Sequence, residues 1–529
     1  MTPLRSSALF FILFSLILLL ASAYRLPRLS ERPMHGDEAN QAVKAGRLYD
    51  TGVYAYDPHE HHGPTLYYAT LPSLYLGGSA SFIDTTETQF RLVPVFFGLA
   101  AILLLLPLRQ ALGSHATLWA ALFFSLSHAM TYYSRYYIQE ILLVCFTGAA
   151  FAAGYWWWRS GRILPALLLG VSLGLMHATK ETCAVLFVTM GAAVLFTWLA
   201  TLRLEQAGQA PVRCILRTSP WVVGAAIVVS VVLFSSFFTH WPGPVDSIMT
   251  YLTYSQRAEG AGSSALHDKP WHYYWELLLF YYRTAGPRWS EAGMVLLALA
   301  GAASILWQLR AAFRRHVATP ALRPQLFLLF YAVFTCTAFT LIPYKTPWNV
   351  LPMLQPLILL AGVGAAAIVG ATQKKWVQLL CALVPLLVAV HLGRQSYLGN
   401  FLYGADVRNP YVYAHTSTSL LTLVQRIDEL AAIAPEGKHL MIQVVRKGGD
   451  YWPLPWYLRG YDRVGYWSEA PPTLDAAVII SDGAIHAELA PRITGDYQVE
   501  TFGLRPNVLM PVLTQRALWD EMVRLRSQK

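Results

Sequence analysis

The sequence predicts a mainly α, polytopic membrane protein: a bundle of about eleven transmembrane helices followed by a small C-terminal α/β domain outside the membrane. Three observations carry that expectation. Of 529 residues, 55% are hydrophobic and 13% charged, whereas a soluble globular protein carries about a quarter charged residues; mean hydropathy is +0.40. Apolar runs of the length needed to cross a hydrocarbon core recur between residues 8 and 393. Beyond residue 393 the chain turns more polar and its apolar runs shorten.

The expected spans are 8–23, 91–108, 115–133, 137–158, 163–179, 182–201, 220–239, 291–309, 325–343, 347–370 and 376–393. The first has the length of a signal-peptide core, but Tyr24-Arg25-Leu26-Pro27 is a poor small-residue cleavage site, so it reads as a retained helix. Gly and Ala are dense in Gly170–Gly174 and Gly362–Ala367, which suits helices packed closely in a membrane. Residues 1–393 therefore form the membrane domain, with a long loop at 24–90. Residues 394–529 form the outer domain, with a helical pattern over Ser419–Ala434 and buried strands at His439–Val445 and Ala476–Ser481. The five cysteines make no CxxC pair and no evident disulfide framework.

Orientation follows from the basic loops. Arg5, Arg109, Arg159, Arg162, Arg203, Arg213, Arg217, Arg310, Arg314, Arg315, Arg323, Lys374 and Lys375 fall on alternate loops with almost no acid apart from Glu205. These loops read as cytoplasmic, which puts the N-terminus inside and the C-terminal domain outside an inner or plasma membrane. Arg25, Arg28 and Arg32 follow the first span on the other side, in a long loop where the rule is weak. The excess of 40 basic over 30 acidic residues is explained by the same anchoring, and no nucleic-acid-binding pattern accompanies it.

The chemistry-bearing residues gather on the opposite, outward set of loops. Asp37 and Glu38, within His35-Gly36-Asp37-Glu38, are adjacent carboxylates beside a membrane. They suit a helix start and equally a base that takes a proton from an acceptor hydroxyl. His59, His61 and His62, with Asp57 and Glu60, form a turn-rich cluster open to three readings: a divalent metal, a substrate or phosphate contact, or plain loop structure. Arg135 suits bidentate phosphate binding or interfacial anchoring. Glu140, one turn further on, needs a cation, Arg135 or Lys180. Lys180-Glu181 and Tyr344-Lys345 sit at helix ends where a cation either meets a lipid phosphate or anchors the helix. Tyr451–Trp456 in the tail suits core packing or stacking on sugar.

At these residues the chain resembles the GT-C type of membrane glycosyltransferase, the superfamily of protein O-mannosyltransferases and aminoarabinose transferases. Asp37-Glu38 matches its acidic pair, and Ser134-Arg135-Tyr136 through Glu140 resembles its Ser-Arg-Tyr…Asp stretch with Glu in place of Asp. His35–Ala39, Tyr56–Pro58, His62–Pro64, Thr179–Glu181, Tyr344–Trp348 and Tyr451–Arg459 resemble, more narrowly, a bacterial and archaeal family of flippase-activity-associated proteins. The resemblance implies a sugar donor carried on polyprenyl phosphate and a glycan, lipid or protein acceptor. Asp37 would be the general base in an inverting transfer, and Glu38 would orient the acceptor or Asp37. Arg135, Lys180 and Lys345 would bind the donor phosphate; His35, Glu140, Glu181, His61, His62 and Tyr344 would support the site or contact substrate. No cofactor is required by this scheme, with a divalent metal at His61 and His62 as an alternative. A competing reading is a flippase for lipid-linked sugars or an accessory subunit of one. Such a protein should carry ionisable groups at mid-membrane depth, and the spans are nearly free of them.

Overall fold

The computed structural model describes residues 3–59, 62–204, 210–258 and 267–528. Helices stand at all eleven expected spans: Pro3–Arg25, Glu87–Leu103, Ser114–Leu126, Glu140–Ser160, Ile163–His177, Cys183–Thr201, Val212–Phe234, Ala292–Arg315, Leu322–Leu341, Leu351–Gly370 and Lys375–Tyr397. Among the described residues, eight helices are long and apolar enough to cross a membrane by length and composition, and Ser114–Leu126 and Ile163–His177 are shorter apolar helices. Close crossings use the small residues seen in the sequence. A Cβ on Gly364 would fall 1.9 Å from the Leu297 carbonyl oxygen, and one on Gly170 would fall 2.2 Å from that of Val222.

One span departs from expectation. The run expected over 115–133 breaks at Ser127 and restarts as His128–Tyr133. The buried Glu291 carboxylate makes the break affordable: it accepts from the Ser127 hydroxyl at 2.8 Å and from the Ala129 N–H at 3.1 Å. A helix start is thereby satisfied without water.

Loop 24–90 is largely helical, with Gly36–Thr51 and Thr65–Leu76 lying between the first two spans. At the other end of the chain, the Lys375–Tyr397 helix runs past residue 393, and the α/β unit begins with the Ser419–Ile433 helix. Its five-stranded sheet has the order Val464–Trp467, Ile442–Val445, Val478–Ser481, Val508–Gln515, Tyr497–Arg505. The first three strands are parallel, and the last two pair antiparallel. Ile442–Val445 and Val478–Ser481 are buried throughout, as their unbroken apolar sequences require.

Tyr451–Trp456 and the residues after it contribute Leu454 and Leu458 to the domain core and also reach beyond it. The buried Trp456 donates from Nε1 to Glu87 at 3.1 Å and packs against Phe82 and Phe90 of the membrane domain. Arg459 stacks over Trp456 at 3.8 Å and donates to the Thr85 carbonyl. The motif clamps the C-terminal α/β unit onto loop 24–90.

Candidate active site

The Gly36–Thr51 helix begins with a reciprocal cap. The Asp37 N–H donates to His35 Nδ1 at 3.0 Å, and the His35 N–H donates to Glu38 Oε2 at 3.0 Å. Because Nδ1 accepts, the imidazole proton sits on Nε2, which donates to the Tyr413 carbonyl at 3.0 Å. Burial pushes the His35 pKa down, against Asp37 and Glu38, in keeping with a neutral ring. The same segment is pinned from the C-terminal part of the chain: the Met34 N–H donates to the Tyr457 hydroxyl at 2.8 Å, and the Thr416 hydroxyl donates to the Met34 carbonyl at 2.6 Å.

The two acids of the pair have opposite environments. The Glu38 side chain is fully buried and accepts five hydrogen bonds. Arg91 binds both oxygens at 2.9 and 2.8 Å, Arg32 adds one at 2.9 Å, and the Tyr137 and His35 N–H groups supply the rest. Burial alone would raise its pKa, but Arg32 and Arg91 hold the carboxyl at about 2. Glu38 therefore has no lone pair left for an acceptor, and as placed here it positions its neighbours. The Asp37 side chain is 52% exposed. Around it stand His35, Tyr136, His267 and Tyr413, all close enough to feel its charge. His267 Nδ1 and the Tyr413 hydroxyl are hydrogen-bonded at 3.0 Å, and the His267 ring packs on Tyr344, with ring centroids 4.9 Å apart. Trp348 closes the group against His35 and Tyr413.

The Arg135 guanidinium donates to the carbonyls of Tyr24, Arg25 and Arg28, at and just beyond the C-terminal end of the first helix. Four freed carbonyls at a helix end attract a cation, and this one is buried against them. Arg32 and Arg91 are the guanidiniums that reach the acidic pair, and the motif reading overlooked their role. The available signal was a buried-acid argument: Arg91 opens an apolar span, and an acid near that depth needs such a partner.

Glu140 pairs with Lys180, one of the two partners expected for it, and Lys180 also lies 3.4 Å from Asn349 Oδ1. Lys345 is buried and donates to the carbonyls of Ile342 and, at 3.5 Å, Lys269; its own N–H donates to the His267 carbonyl at 3.0 Å. The turn from Lys345 to Asn349 thus lies between the Asp37 surroundings and Lys180. Glu181 is taken by His62, Nδ1 to Oε2 at 2.8 Å. Beside it, Gly63 approaches so closely that a Cβ would fall 2.2 Å from the Ala178 carbonyl oxygen, and Thr65 meets Thr179 hydroxyl to hydroxyl at 2.7 Å. The His62–Thr65 and Thr179–Glu181 motifs are two halves of one joint. His61 lies outside the described residues. Among the described residues, no three His, Cys, Asp or Glu side chains gather as a metal-ligand set.

Residues 9–240 match the family described as dolichyl-phosphate-mannose-protein mannosyltransferase. That match covers less than half of the chain, and the fold as a whole is similar to that of solved membrane glycosyltransferases. The particular likenesses are structural. ArnT from Cupriavidus metallidurans bound to undecaprenyl phosphate superposes with a TM-score of 0.62 at 16% identity, over 98% of this chain and 99% of that one. The oligosaccharyltransferase of Archaeoglobus fulgidus, tethered to an acceptor peptide, gives 0.56 at 11% identity, over 96% and 76%. The same organism's AglB, in complex with an inhibitory peptide and a dolichol-phosphate, gives 0.55 at 11%, over 94% and 73%. No curated protein sequence matches the chain.

Proposed function

We propose that the protein transfers a sugar from a polyprenyl-phosphate carrier to an acceptor hydroxyl at the Asp37 end of the bundle, on the extracytoplasmic face, with inversion. The observation that carries this reading is the split between adjacent carboxylates: Glu38 is consumed by two guanidiniums, while Asp37 projects from a capped helix start into open surroundings. In the proposed step the acceptor O–H gives its proton to Asp37, and its oxygen attacks the anomeric carbon. The bond from that carbon to the phosphate oxygen breaks, and the lipid phosphate leaves with the electron pair.

Two guanidiniums against one carboxylate leave a net positive charge beside the acidic pair, which favours a developing phosphate charge. Of the three expected phosphate ligands we favour Lys345, whose partners are neutral carbonyls and which follows Tyr344, the residue packed on His267 beside Asp37; Lys180 is already neutralised by Glu140, and Arg135 is held at the end of the first helix. Support for a polyprenyl carrier comes from two proteins of this fold solved with undecaprenyl phosphate and dolichol-phosphate. The acceptor is a glycan, lipid or protein hydroxyl reaching Asp37 past Tyr413 and Trp348.

The test is incubation of the purified protein with radiolabelled polyprenyl-phosphate sugars and candidate acceptors. Release of free polyprenyl phosphate coupled to acceptor labelling supports transfer. Labelled lipid crossing proteoliposomes, with no donor consumed, would support the flippase reading instead.

A further inference from the structure

Four partly exposed rings form a continuous wall beside Asp37: Tyr344, His267, Tyr413 and Trp348. Their centroids follow one another at 4.9, 5.8 and 5.9 Å, and His267 and Tyr413 stand within reach of the Asp37 charge. Polar atoms sit at the ring edges, with the Tyr413 hydroxyl and His267 Nδ1 hydrogen-bonded at 3.0 Å near a carboxylate that is 52% exposed. Such a wall fits a ligand with apolar C–H faces and a rim of hydroxyls, because the ring faces cover the first and the polar edges meet the second. A sugar ring has that composition. A plain alkyl alcohol would leave the polar edges stranded. An extended peptide docks through backbone hydrogen bonds, and backbone groups around Asp37 are already paired. The Lys345 N–H donates to the His267 carbonyl at 3.0 Å, and the Lys269 N–H to that of Pro343 at 3.1 Å. The carbonyls of Tyr413 and Met34 accept from His35 and Thr416, and the Met34 N–H is held by Tyr457. Side chains are what this wall presents to an acceptor.

We propose that the acceptor is a saccharide, whose ring lies against Trp348 and Tyr413 and presents one hydroxyl to Asp37; this rests on the transfer reading above. Trp348 also packs edge-on against His35 and Tyr133, with centroids 6.2 and 6.5 Å away, so its ring is held in one orientation before any acceptor arrives. A platform fixed in advance lowers the ordering cost of binding. The bond made in the transfer is then a glycosidic bond between two sugars, with the acceptor proton passing to Asp37 and the lipid phosphate leaving as before.

The test is linkage analysis of the labelled product. Full-length protein in proteoliposomes is incubated with radiolabelled polyprenyl-phosphate hexoses and pentoses and with cell envelopes from a strain deleted for its gene. Label joined glycosidically to another sugar supports the proposal. Label joined to Ser or Thr, or to an alkyl hydroxyl carrying no sugar, would overturn it and leave transfer itself standing. Donor unconsumed in every incubation would overturn the transfer reading and this one with it. Trp348→Leu should raise the KM for the envelope acceptor about tenfold, the scale of one lost aromatic contact, whereas Trp348→Tyr, which keeps a ring, should hold it near wild type. An unchanged acceptor KM in folded Trp348→Leu would also overturn the proposal. Should that variant fail to fold, the linkage found with wild type decides.

Discussion

Glu38→Gln isolates the buried half of the acidic pair. The substitution keeps the shape and removes the charge that Arg32 and Arg91 share, leaving two buried guanidiniums without a counter-ion. Removing one partner of a buried ion pair typically costs about 3–5 kcal/mol. The depressed pKa gives a second route: a carboxyl held at about 2 rather than the ordinary 4.5 contributes about 3 kcal/mol at neutral pH. The two figures agree in size. Because the folded pKa is depressed, this contribution is complete above about pH 4.5 and is lost as pH falls towards 2. Reversible unfolding in mixed micelles should show Glu38→Gln less stable by about 3 kcal/mol at pH 7. Below pH 4.5 the gap between variant and wild type should narrow. A loss under about 1 kcal/mol, or a gap that does not change with pH, would refute the assignment of Glu38 as the ionised hub of this network.

Two further substitutions separate the roles of the cations and the cap. Arg135→Gln should lower stability by about 1–3 kcal/mol through its lost charged hydrogen bonds and leave the KM for lipid donor unchanged; Lys345→Gln should raise that KM, as steady-state kinetics on both variants would show. His35→Ala should lose about 1 kcal/mol of helix capping and depress kcat, whereas His35→Asn, which can still cap, should recover most of the stability in the same unfolding and transfer assays.

The membrane helices were legible because each is a long apolar run, and the lipid-spanning requirement leaves little else for such a run to do. The break at Ser127 was not, because its compensation comes from Glu291, 164 residues away. The same distance problem hid the division of labour at Asp37-Glu38. Two acids side by side in sequence look alike until Arg91, 53 residues on, selects one of them. Glu140–Lys180 was within reach, since an acid at that depth must find a cation and few were available. The contacts of Arg135 were not legible, because a motif fixes residue type but not the direction of a long side chain. The Tyr451–Arg459 motif held a third possibility beyond core and sugar platform: a clamp between domains, invisible until both surfaces are folded.

The central claim is that Asp37, and not Glu38, receives the acceptor proton. Single-turnover transfer from a polyprenyl-phosphate sugar, comparing wild type with Asp37→Asn, tests it most directly. The account predicts that Asp37→Asn folds, binds the lipid donor as wild type does, and transfers at least about 100-fold more slowly, the scale of a lost general base. Transfer by Asp37→Asn at the wild-type rate would contradict it.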